Sequence, residues 1–94
     1  MGFTVTKVTF PLQGRNNGPD VTQRVFNNKL IPPIINKAYS KVITHHDIMP
    51  DPYPRKVKDL LVELTNNVTK EKSIKRFPEP PKEGSDRRIF IELP

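Results

Sequence analysis

The chain has no cysteine, only four glycines among its 94 residues, and a single acid, Asp20, within positions 1–46. Without cysteine, neither a disulfide framework nor a thiolate metal site can prop up so small a domain, and the absence suits a reducing compartment. No apolar run approaches the roughly 18–20 residues needed to cross a bilayer, and no charged-then-apolar signal segment opens the sequence. The protein is therefore expected to be soluble and intracellular, with no membrane contact. Hydrophobic residues make up 34% of the chain and charged residues 28%. That balance predicts a thin core and one small domain spanning residues 1–94.

Catalytic groupings are missing as well. Gly14 and Gly18 are not followed by the Lys-Ser/Thr of a phosphate-binding loop, and there is no nucleophile elbow. Asp47 and Asp51 fall in a stretch expected to be an exposed loop, where nothing would raise a carboxyl pKa. His45-His46-Asp47 invites a metal or general-base reading. Adjacent residues on a helix diverge by about 100°, so the two imidazoles cannot easily meet one ion. A position near a helix C-terminus explains both histidines through the helix dipole. The sequence thus predicts no enzyme, no cofactor and no metal site.

What is abundant is proline and positive charge. The 11 prolines cluster at Pro32–Pro33, at Pro50, Pro52 and Pro54, and at Pro78, Pro80 and Pro81, leaving proline-free windows between them. Proline fixes φ and lacks a donor, so these clusters mark the starts and ends of short elements. The first window, Gly2–Phe10, is rich in Thr, Val and Phe and predicts a strand. Pro19–Leu30 carries Val21, Val25, Phe26 and Leu30 at helical spacing, and a second helix is read from Pro33 to His46. The strongest pattern, Val57, Leu60, Leu61, Leu64 and Val68, predicts a third helix opening at Pro54, with Lys58, Asp59 and Glu63 on its solvent arc. Residues 69–85 read as an extended or disordered Pro- and charge-rich arm, and Arg87–Leu93 as a closing strand. The expected fold is α+β, in the order β-α-α-α-β. The terminal strands would pair in one small sheet, with the Pro-rich arm before the last strand.

The formal net charge is +6. A basic surface attracts phosphate backbones and acidic partners through a field that is largely independent of sequence. Lys70, Lys72, Lys75, Arg76, Arg87 and Arg88 form the densest cluster and are the predicted nucleic-acid contacts. The aromatic residues are dispersed, so RNA would be met through its backbone rather than by stacking. Lys75-Arg76-Phe77-Pro78-Glu79-Pro80-Pro81 fits a basic-x-x-Pro-x-x-Pro pattern. Tyr53, held between prolines, adds an interface anchor, so Tyr53, Phe77, Pro78 and Pro81 are the predicted partner contacts. Asn67-Val68-Thr69 matches a glycosylation acceptor but lies at the end of a predicted helix without a secretory signal. The resulting expectation is a non-catalytic basic subunit of a larger assembly, foremost a ribonucleoprotein contacting RNA and neighbouring proteins. The alternative is a small regulatory or viral factor that docks on an acidic protein.

Overall fold

The computed structural model describes residues 2–80 and 88–94. Strands dominate: β1 is Phe3–Thr9, β2 Ile34–Ile35, β3 Tyr39–Thr44, β4 Asp59–Asn66, β5 Lys72–Pro78 and β6 Arg88–Leu93. A short helix, α1, covers Thr22–Asn27, and a 3-10 turn covers His45–Ile48. The strands form a four-stranded antiparallel sheet in the order β2-β1-β4-β5 and a two-stranded antiparallel ladder of β3 with β6. No helix among the described residues is long and apolar enough to cross a membrane.

The expected α+β arrangement is overturned at four points. The window read as the second helix holds β2, β3 and the 3-10 turn. Its Ile34, Ile35, Val42, Ile43 and Thr44 are β-branched, and their stiff χ1 torsions suit a pleated surface better than a helix. The window read as the third helix holds β4, in which Leu60, Val62 and Leu64 alternate into the core. Leu61, on the opposite face, is also covered at 5% exposure, so the apolar residues run together and imitate helical spacing. The segment read as an arm contains β5, paired with β4 from Asp59↔Pro78 to Thr65↔Lys72, while residues 81–85 lie outside the described residues. The terminal strands do not pair with each other: β1 lies between β2 and β4, and β6 pairs with β3.

The core fills the space between the two sheets. Val5, Val8 and Phe10 from the first strand region meet Leu60, Val62 and Leu64 of β4 and Ile89, Ile91 and Leu93 of β6. Val21 and Val25 of the α1 region, Leu30, Ile31, Ile35, Ile43 and Ile48 complete it among the described residues. Each fully covered Leu or Val contributes about 1.5–3 kcal/mol. Thr6 is the extra residue of a bulge in β1, between Val5↔Leu64 and Lys7↔Glu63. Its hydroxyl donates to Glu63 Oε2 at 2.6 Å. Gly18 is required by close approach: a Cβ there would lie 2.4 Å from Pro11 Cα. Where the sheets meet, β5 comes near β6 without pairing to it.

Candidate interaction surface

Two charged regions stand out, one inside the molecule and one on its rim. Inside, Lys58 is 1% exposed and Glu79 fully buried. The Lys58 ammonium lies 3.2 Å from Asp51 Oδ1 and 3.4 Å from Glu79 Oε1. It donates to the carbonyls of Tyr53 and Lys56 and sits 5.5 Å from the centre of the Phe10 ring. The two backbones lock together as well, since Lys58 N–H donates to Glu79 Oε1 at 2.8 Å and Glu79 N–H to the Lys58 carbonyl at 2.9 Å. His45 Nδ1 stands 3.5 Å from Glu79 Oε2. A buried charge set of this kind is costly to desolvate and costlier to break. Its geometry ties the 3-10 turn and the proline-rich loop to the ends of β4 and β5.

A second internal pairing accounts for Arg76. Its guanidinium pairs with the buried Asp59 carboxylate and donates to the Arg15 carbonyl at 3.1 Å and to Asn16 Oδ1 at 2.7 Å. Asp59 Oδ2 also accepts from Gly14 N–H at 2.9 Å. Planar, multi-point donation of this kind is what arginine supplies and lysine does not. The clamp holds the loop around Arg15 and Asn16 against the outer face of the sheet and leaves Arg76 occupied.

On the rim, β5 is the outer strand of the larger sheet and, among the described residues, pairs only with β4. Asn66 N–H donates to the Glu71 carbonyl at one end of this pairing, and Glu79 N–H to the Lys58 carbonyl at the other. Antiparallel ladders alternate, so Ser73, Lys75 and Phe77 turn their backbone groups to β4, and Lys72, Ile74 and Arg76 turn theirs outward. Pro78, which has no N–H, occupies an outward position, as prolines of edge strands do. Lys70, Lys72, Ser73, Ile74 and Lys75 are all exposed, Ile74 to 63%. Lys70, at the β4–β5 turn, holds a left-handed backbone with φ 65°.

The structure therefore separates the residues singled out from sequence. Lys70, Lys72 and Lys75 gather on the β4–β5 hairpin, Arg76 pairs with Asp59 on the outer face of the sheet, and Arg88 stands on the other sheet opposite Thr44. Arg87 and Pro81 lie outside the described residues. Tyr53 is half-buried, with its N–H donating to Asp51 Oδ1 and its carbonyl accepting from Lys58. Phe77 packs on the core and Pro78 is exposed. The RNA-binding expectation finds no support in this arrangement. Those predicted phosphate contacts that are described are divided among a hairpin, the Asp59 clamp and a second sheet, and exposed Phe90, on the face of β6 that carries Arg88, stands apart from the hairpin lysines.

His45 and His46 lie with ring centroids 4.1 Å apart, and Asp47 is engaged with Thr44 N–H in a capping box. No group of three or more His, Asp or Glu side chains able to hold a metal ion occurs among the described residues. Asn67 of the glycosylation pattern accepts from the Thr4 hydroxyl at 2.7 Å. The Lys58–Glu79–Asp51 group had no sequence signal beyond a charged pair, Lys58-Asp59, set directly against an apolar run. The chain matches no family model, no curated protein and no solved structure.

Proposed function

We propose that this protein is a non-catalytic binding module that docks on an acidic protein partner through the β4–β5 hairpin. The observation that carries the reading is that Lys70, Lys72 and Lys75 are exposed on this hairpin with no ion pair among the described residues. Asp51, Asp59 and Glu79 are meanwhile drawn inside against Lys58 and Arg76. The lysines of the hairpin thus present a positive field, with Glu71 beside them, Glu63 of β4 opposite Ile74, and Asp59 taken up by Arg76. Lys70 supports the reading a second way. A left-handed backbone at a residue with a Cβ costs about 1–2 kcal/mol that glycine would avoid, and such outliers cluster at functional positions. A protein partner suits the surface better than nucleic acid because Ile74, strongly exposed, lies between the lysines.

Titration with poly-glutamate and with single-stranded RNA of equal charge, at about 0.15 M salt, tests the proposal. Tighter binding of poly-glutamate, lost when Lys70, Lys72 and Lys75 are together changed to Glu, is expected. Equal affinity of the triple variant, or preference for RNA, overturns it.

A further inference from the structure

The alternation of backbone groups along β5 points to a specific mode of engagement, resting on the reading just given. We infer that the acidic partner binds as an extended segment added to β5 as a fifth strand of the larger sheet. Three outward N–H groups, of Lys72, Ile74 and Arg76, and the carbonyls of Lys72, Ile74, Arg76 and Pro78 make up the edge that no strand pairs among the described residues. Their donors and acceptors need a partner that supplies the complementary backbone row, which a poly-anion without peptide groups cannot do.

Side-chain placement narrows the sequence that fits. Lys72 and Ile74 project from the outer face of the sheet, and Lys75 from the opposite face. Residues opposite one another on adjacent strands interact most strongly, so the added strand places an acid opposite Lys72, an apolar β-branched residue opposite Ile74 and an acid opposite Lys75. In antiparallel order this reads Glu-Val-Thr-Glu. Pro78 sets one limit of the new ladder, because beyond Arg76 no outward donor is available until the strand ends. The partner segment is accordingly short, and its specificity comes from two charges flanking one apolar contact.

Hydrogen exchange read residue by residue tests this directly. In the free protein the amides of Ser73, Lys75 and Phe77 should exchange slowly and those of Lys72, Ile74 and Arg76 quickly. An acetylated, amidated peptide centred on Glu-Val-Thr-Glu should slow the second set at least about tenfold and leave the first nearly unchanged. The same peptide with its edge-facing amides N-methylated should bind about tenfold more weakly, the loss expected for roughly 1.4 kcal/mol of backbone hydrogen bonding. Ile74→Pro, which keeps all three lysines, should reproduce that loss. Binding that depends on the lysines but leaves the exchange of Lys72, Ile74 and Arg76 unaltered overturns strand addition while the acidic-partner reading stands. Failure of both this peptide and poly-glutamate to bind overturns both. Slow exchange of the outward amides before any peptide is added, with a concentration-dependent mass, would show that β5 pairs with a second copy instead.

Discussion

Lys58 and Lys75 lie on neighbouring strand segments and are the same residue in opposite circumstances. Lys58 is enclosed by two carboxylates, two carbonyls and an aromatic ring, whereas Lys75 projects from an edge strand with no partner among the described residues. The first cannot be removed without stranding buried anions, and the second can be removed almost freely. Within one small basic protein, then, positive charge serves two separate purposes. Inside, it fixes loops that have no regular structure of their own; outside, it is available to a partner.

The contrast can be broken most forcefully at its buried end. Lys58→Met keeps the volume of the side chain but leaves Glu79 and Asp51 uncompensated. It should cost about 3–5 kcal/mol, enough to bring a domain of ordinary stability close to unfolding. Chemical denaturation of the variant, compared with a Lys58→Met/Glu79→Gln double variant that recovers part of the loss, measures the pairing. Arg76→Lys comes next. One ammonium cannot serve Asp59, Arg15 and Asn16 together, so a loss of about 1.5–3 kcal/mol is expected, with loosening of the loop around Gly14 visible in its amide exchange.

Asp20 gives a smaller, pH-dependent effect. Hydrogen bonds from the Thr22 hydroxyl and backbone hold its carboxyl below the ordinary value of 3.8. A depressed folded-state pKa means that the contribution to stability is present above that value and is lost as pH falls through the folded one. Asp20→Asn should therefore lower the melting temperature slightly at neutral pH and converge with the parent protein as pH falls below the ordinary carboxyl range. A constant difference across that range would contradict the assignment. The smallest effect belongs to the edge: Lys72→Ala with Lys75→Ala should leave stability within about 0.5 kcal/mol while weakening the acidic peptide. A large loss of stability would mean that the hairpin lysines are structural after all, and the comparison with Lys58 would collapse.

Strands do occur at both end windows of the chain, where Thr, Val, Phe and Ile were read as a pleated pattern. The middle was misread for a physical reason. Leu60, Leu61 and Leu64 satisfy helical spacing only because Leu61 is covered on the outer face while its neighbours fill the core. A strand buried on both faces carries no alternation to read. For the same reason Lys58 and Asp59, assigned to a solvent arc, proved to be buried: their partners Glu79 and Arg76 lie some way along the chain and are reached only through the β4–β5 pairing. Lys70, Lys72 and Lys75 were legible as a basic cluster from composition alone. Nothing local could show that Arg76, next in line, is taken up by Asp59, or that β5 leaves one edge open.

The topology also sets the order in which the molecule can assemble. Thr4 meets Asn67 across 63 positions and Thr6 meets Glu63 across 57. In the larger sheet, β4 and β5 are the only neighbours that follow one another directly in the chain. The hairpin can therefore close early, whereas β1 must wait for long loops to be gathered in. Such non-local pairing places folding on a timescale of roughly milliseconds to seconds. During that interval the hairpin would expose the β4 edge that β1 later fills as well as the outer edge of β5, and its core face, with Leu60, Val62 and Leu64, would be uncovered. Lysines at the turn and on the outer strand then keep young chains from joining edge to edge before the first strand arrives.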